Sequence, residues 1–213
     1  MSNQFKPVFV LSGMSGTGKS CILEDSRLMG VKGLRSFNKF LLSVRFGYGQ
    51  PTHKFLIMDM YMQVYHIRDF NRDTFRNEAW MLERCILDGY YFTTEVFGYK
   101  QTEQEINDMN HMLREYFKLL TDDGNKPLYI IDIVNKDRDW IAKNLHEEPT
   151  RENCWSKVDD YLESQDKYKC WYFTKLNELG IDYDTMHIEI NDITNDFTPD
   201  YRRLWIYKNV ILK

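Results

Sequence analysis

The chain has 213 residues, 43% of them hydrophobic and 15% aromatic, with a formal net charge of −4. That length suits one domain with a sizeable core, and the acidic balance argues against a protein whose main task is to coat nucleic acid. Four dispersed cysteines without C-x-x-C spacing predict reduced thiols and no zinc site. No apolar run reaches the length of a membrane span, and the short polar start does not fit a signal peptide, so the expectation is a soluble, cytoplasmic protein.

Residues 7–11 read as a short, continuously apolar strand, of the kind buried at the centre of a parallel sheet. They run into Gly13-Met14-Ser15-Gly16-Thr17-Gly18-Lys19-Ser20, which fits G-x-x-x-x-G-K-[ST], a turn whose backbone N–H groups wrap a nucleotide's phosphates. The glycines allow positive φ angles and a close approach to phosphate oxygens. Lys19 is placed to reach the β- and γ-phosphates, and the Ser20 hydroxyl to hold Mg²⁺. A helix that begins near Lys19 and carries Cys21 in its first turn aims its positive end at the anion.

Beyond this helix, Gly30, Gly33, Gly47, Gly49 and Pro51 break the pattern, and a second strand falls near 34–40. Residues 55–65 carry apolar side chains at helical spacing, and 79–82 is a short apolar run that ends in Glu83-Arg84. Ile106, Met109, Leu113, Phe117 and Leu120 mark an amphipathic helix, which 121–125 breaks. Residues 128–134 form the clearest strand after the first. Val158, Tyr161, Leu162, Tyr168, Tyr172, Leu176 and Leu179 stripe a long helix stopped by Gly180, and 186–190 is a final strand. The alternation predicts an α/β fold: a P-loop NTPase with a doubly wound parallel sheet of about five strands flanked by helices, in one domain over 1–213. Ligands then bind at the carboxyl edge of the sheet.

If the strand ending at Leu82 neighbours the first, Glu83 and Arg84 arrive beside the phosphates. Glu83 then holds the magnesium's water shell, and Arg84 stabilises charge on the transferred phosphoryl group; the bland alternative is a surface ion pair. Asp132 competes for the metal-linked role, and the adjacent Arg84 favours Glu83. The five histidines have no metal-ligand spacing. The aromatic cluster 168–173 reads as a buried helix face in preference to a base pocket.

Glu83-Arg84-Cys85 followed by Tyr90-Tyr91-Phe92 resembles the Glu-Arg-Ser…Arg-Tyr-x-Phe signature of the deoxynucleoside kinases, in the thymidylate kinase-like superfamily. Met62-Gln63-Val64 is similar to that family's Leu-Gln-Val segment. The strand at 128–134 with Asn135-Lys136-Asp137-Arg138 resembles its strand leading into a lid, here about 138–156, and 191–197 resembles the loop that cups adenine. The resemblance implies transfer of the ATP γ-phosphoryl group to a deoxynucleoside 5′-hydroxyl, with Lys19, Glu83 and Arg84 catalytic and Ser20 and Glu83 at the metal. It also implies nucleotide contacts from Arg138 in the lid and from Asn195, Asp196 and Phe197 around adenine.

The chain departs from the family in three places. No Glu-Pro occurs between 21 and 80, where the family keeps its general base; the matching region reads Arg35-Ser36-Phe37-Asn38-Lys39, and Asp59, on the expected helix, reads as part of a solvated face in preference to a substitute base. Asp88-Gly89 lacks one expected arginine, and the lid is sparse in cations, with Arg138, Lys143 and Arg151 as candidates. Three alternatives therefore stay open: a nucleoside monophosphate acceptor met by Arg35, Lys39, Arg45 and Lys54, a modified base in DNA, and a degenerate kinase that binds ATP as a regulatory module. The oligomeric state is open, with a homodimer among the options.

Overall fold

A computed structural model describes residues 5–34, 57, 64, 65, 78–96, 98–147, 155, 157–190 and 197–213. Its strands are β1 (Val8–Ser12), β2 (Lys32–Leu34), β3 (Trp80–Leu82), β4 (Leu128–Asn135) and β5 (Asp184–Ile190). They form a single five-stranded sheet in the order β2-β3-β1-β4-β5, with every pairing parallel. β1 lies in the middle because it has no polar side to show: all five of its residues are buried. Val8 and Val10 enter the core on one face of the sheet, and Phe9 and Leu11 the core on the other.

Helices cover both faces, as the alternating pattern predicts. The Val8 face packs on α2 (Ile86–Tyr91, continuing in a wider turn to Val96), α3 (Glu103–Leu120), α4 (Arg138–Glu147) and α5 (Val158–Leu179). The Phe9 face packs on α1 (Lys19–Leu28) and α6 (Pro199–Ile206, widening to Ile211) through Ile22, Leu23, Ile206 and Val210. The start of α3 is set by a reciprocal cap: Thr102 Oγ1 accepts from the Glu105 N–H at 3.3 Å, while Glu105 Oε2 accepts from the Thr102 N–H at 2.8 Å. α5 stops at Gly180, whose φ of 68° is left-handed.

Parallel pairing brings all the strand ends that matter to one edge. The registers Val10↔Leu82 and Ser12↔Asp132 put the glycine turn between the end of β3 and the middle of β4. Some boundaries differ from expectation. β2 begins at Lys32, ahead of the predicted 34–40; the sequence hides it because Gly33 is needed there, since a Cβ would stand 2.7 Å from Arg27 Nε and 2.8 Å from Leu23 Cδ1. Ile106 heads the predicted stripe of α3 yet is 38% exposed, because the buried face begins at Met109. α6 was not anticipated; Thr198 caps it by accepting from the Tyr201 N–H at 3.3 Å, and Pro199 opens it. Of the predicted helix at 55–65, Ile57, Val64 and Tyr65 are helical and the rest lies outside the described residues.

Candidate active site

The turn between β1 and α1 takes left-handed or extended-positive φ at each of its glycines: 146° at Gly13, 87° at Gly16 and 75° at Gly18. Gly13 has no room for a side chain, because a Cβ would sit 2.5 Å from the Ile133 carbonyl oxygen. At Gly18 a Cβ would overlap the Phe197 ring. Both positions favour glycine, and the turn they allow runs directly into α1.

Lys19 is 4% exposed. Its ammonium donates to the Gly13 carbonyl at 2.6 Å, the Met14 carbonyl at 2.5 Å and Thr17 Oγ1 at 3.2 Å. The cation therefore sits inside the turn, on oxygens that a polyphosphate can replace. Ser20, the first exposed residue of α1, donates its hydroxyl proton to Glu83 Oε1. Sixty-three residues apart in sequence, these two oxygens meet because β3 is the immediate neighbour of β1. A hydroxyl and a carboxylate are hard oxygen donors of the kind Mg²⁺ prefers, so the residues present fit that ion. Cys21 follows on the exposed side of α1.

Arg84 leaves β3 in another direction from Glu83. Its guanidinium lies 3.7 Å from Asp88 Oδ1 and stacks 5.7 Å from the centre of the Phe92 ring, with the side chain 13% exposed. Asp88 is buried and accepts the Cys85 N–H at 3.0 Å, which caps α2. It also accepts from the Tyr168 hydroxyl at 2.9 Å. That hydroxyl lies 3.0 Å from Ser12 Oγ and 3.4 Å from the Gly13 nitrogen. Because its single proton goes to the carboxylate, it accepts from Ser12 and from Gly13. Burial, with the Asp88 charge beside it, pushes the Tyr168 hydroxyl well above its ordinary range, which keeps that proton in place. Burial and Asp88 likewise push the Cys85 thiol up, so Cys85 is no nucleophile; its sulfur lies 3.0 Å from the Tyr172 hydroxyl.

α5 touches the turn a second time. Two helical turns before Tyr168, the Tyr161 hydroxyl donates to the Ser15 carbonyl at 2.7 Å. The sequence shows these tyrosines as a stripe at helical spacing, which predicts a buried face and is correct for their rings. That the hydroxyls reach the turn is invisible at that level, because it depends on α5 lying across the end of β1. Asp132, the rival acid, belongs elsewhere: its Oδ2 takes Lys169 Nζ at 2.6 Å and His187 Nδ1 at 3.0 Å. No cluster of three or more metal-ligating side chains occurs among the described residues.

The Phe197 ring packs on Gly18 and lies 5.7 Å from the Trp140 ring of α4. Arg202 holds it from behind, with the guanidinium 5.1 Å from the ring centre and Nη1 donating to the Phe197 carbonyl at 2.6 Å. Arg202 Nε also donates to the buried Asp25 of α1 at 2.6 Å. Arg138 opens α4 in the predicted lid and pairs at 2.8 Å with Asp159 of α5, both side chains being largely exposed. Asn195 and Asp196 lie outside the described residues, as do Asp59, Arg35, Lys39, Arg45, Lys54, Arg151 and the lid beyond α4, apart from Trp155.

The five-stranded parallel α/β sheet, with a glycine turn between its central strand and the helix that follows, defines a P-loop fold. No family model and no curated protein matches the chain. Among solved structures, the NadR protein in complex with NR aligns over 99% of this chain and 53% of its own, with a TM-score of 0.55 at 11% identity. This chain thus spans about half the length of that neighbour. The YorR protein from Bacillus subtilis, in complex with phosphorylated GDP, aligns over 96% of both chains at 15% identity and a TM-score of 0.49. At 11% identity the likeness to the NadR protein speaks to the fold alone. No helix among the described residues is long and apolar enough to cross a membrane.

Proposed function

We propose that the chain is a phosphotransferase that moves the γ-phosphoryl group of ATP to the 5′-hydroxyl of a (deoxy)nucleoside. The observation that carries this reading is the contact between Ser20 and Glu83 at the mouth of a glycine turn that already encloses Lys19. A hydroxyl from the loop and a carboxylate from the neighbouring strand form the oxygen pair that nucleotide phosphotransfer needs beside the β- and γ-phosphates. Ser20 and Glu83 are the donors for Mg²⁺, which when bound neutralises charge on those phosphate oxygens.

The protein's own residues then have separate tasks. The turn's N–H groups and the Lys19 ammonium bind the phosphates and hold them in line. Arg84 lies at the end of β3 one residue beyond Glu83, and its guanidinium supplies positive charge for the phosphoryl group in flight. Its pairing with Asp88 at 3.7 Å is longer than a tight salt bridge, which leaves the guanidinium able to take a second anion. Phe197 and Trp140 offer aromatic surface beside Gly18 for the adenine, and Arg138 can release its exposed partner to meet the nucleotide.

Purified protein given ATP, Mg²⁺ and a panel of nucleosides, nucleoside monophosphates and DNA tests the reading. The expected result is transfer to a nucleoside, with kcat reduced about 10²–10³-fold by Arg84→Ala and by Glu83→Gln. Transfer to a monophosphate or to DNA would replace the acceptor, and ATP binding with no transfer at all would make the protein a regulatory module.

A further inference from the structure

We propose that Tyr168 is a positioning residue that sets the distance between Arg84 and the phosphate turn. The inference rests on the phosphotransfer reading above and deepens it. Tyr168 comes from α5, Arg84 from the end of β3, and Gly13 from the end of β1, so three separate elements converge on one hydroxyl and one carboxylate. The order of the chain is Gly13 N–H to the Tyr168 oxygen, Tyr168 O–H to Asp88 Oδ1, and Asp88 Oδ1 facing the Arg84 guanidinium. Ser12, Tyr168 and Asp88 are all at least 98% buried, so water cannot stand in for any of them.

The sharing of Asp88 Oδ1 gives the hydroxyl its effect. That oxygen is divided between the tyrosine proton at 2.9 Å and the guanidinium at 3.7 Å. While the hydroxyl occupies it, the arginine is held at the longer separation, oriented but not captured. Removing the hydroxyl leaves a buried carboxylate with one cation in reach. The expected consequence is a closer Arg84–Asp88 pair and a guanidinium withdrawn from the phosphoryl group. The same deletion frees the Gly13 N–H and the Ser12 hydroxyl, the first polar groups of the turn. The ring itself has a separate structural role, packing at 5.0 Å on Tyr91 and 5.5 Å on Tyr172, and phenylalanine keeps both contacts.

The test is Tyr168→Phe, assayed for kcat, for KM of ATP and for thermal stability, alone and in an Arg84→Ala background. The proposal expects kcat to fall about 10-fold with KM for ATP nearly unchanged, as a small displacement of a charged group produces. It also expects Tyr168→Phe to cost nothing further once Arg84 is alanine, because a residue acting through Arg84 has nothing left to position. Asp88→Asn is the second variant: it keeps an acceptor for Tyr168 but removes the charge that draws Arg84 back, and should restore part of the lost kcat in the Tyr168→Phe protein. An equal loss in both backgrounds, or a fall confined to KM or to melting temperature, would overturn the proposal while leaving the phosphotransfer reading intact. Turnover undiminished by Arg84→Ala, or no turnover in the unsubstituted protein, would remove the parent reading and this proposal with it.

Discussion

The two ends of the sheet each bury a lysine, in opposite electrostatic surroundings. At the carboxyl ends of the strands, Lys19 sits in a turn of three positive-φ glycines that opens α1, so helix N-terminus, backbone N–H groups and ammonium all favour an anion. At the amino ends, Lys126 is 2% exposed and donates to the Glu78 carbonyl at 3.1 Å, on a cavity of about 510 Å³. Here α3 and α5 end, and Arg114, which lines the cavity, donates from Nε to the Leu179 carbonyl at 3.3 Å. Asp182 and Asp184 line the same cavity. This cavity is lined by carboxylates as well as cations, unlike the surroundings of Lys19. At Lys126 the neighbouring groups are the Glu78 carbonyl and the acidic Asp122 and Glu78 side chains, which suit a cation.

The sharpest way to break the comparison is to remove each lysine. Lys19→Ala should lower turnover about 10²–10³-fold with the fold retained, whereas Lys126→Met should leave kcat and KM for ATP unchanged. Steady-state kinetics with a thermal melt of each variant checks both, and equal effects would erase the distinction.

A smaller effect separates the glycines at the two ends. Gly18 and Gly124 both have left-handed φ, 75° and 84°, but Gly18 lies against Phe197 while nothing stands within 4 Å of a Cβ at Gly124. Gly18→Ala should cost roughly 1–3 kcal/mol and weaken ATP binding. Gly124→Ala should cost about 1 kcal/mol, from backbone strain alone, and leave ATP binding untouched. Urea unfolding and an ATP titration distinguish them.

The last is a pH effect confined to the amino end. Burial lowers Lys126 from 10.5 to about 8. Between those values the unfolded chain holds a proton that the folded chain has released, so the Lys126 contribution to stability rises with pH across that window. Below it, the fold carries the full cost of a buried charge. Urea unfolding of the unsubstituted protein and of Lys126→Met should show the difference moving toward the former by about 3 kcal/mol from below pH 8 to above pH 10.5. A gap that stays flat would mean Lys126 titrates alike in the folded and unfolded chain.

The geometry of the candidate site is legible where residues are local in sequence. The turn 13–20 declares itself because each glycine has a steric reason, and Glu83 because a strand's end fixes where the next residue points. The sheet was legible from its apolar runs, except β2, whose Gly33 yields its volume to Arg27 and so reads as a break. The Tyr161 and Tyr168 hydroxyls were not legible: periodicity reports which side of α5 is buried, and says nothing of what a buried polar tip meets across 146 or 156 residues of chain. α6 escaped for a related reason, since its buried residues Ile206 and Val210 are few and Tyr201, Leu204 and Tyr207 are exposed.

The grip of Arg202 reaches beyond the ring it supports. One guanidinium holds the Asp25 carboxylate and the peptide oxygen of Phe197 together, so the last helix is bolted to the first. A version of this chain cut short before that arginine would strand a negative charge under α1 and lose the aromatic lid over Gly18 in the same stroke. Engineers who seek a minimal fragment, or a point at which to split the chain in two, are thus obliged to keep both bolted ends in one piece.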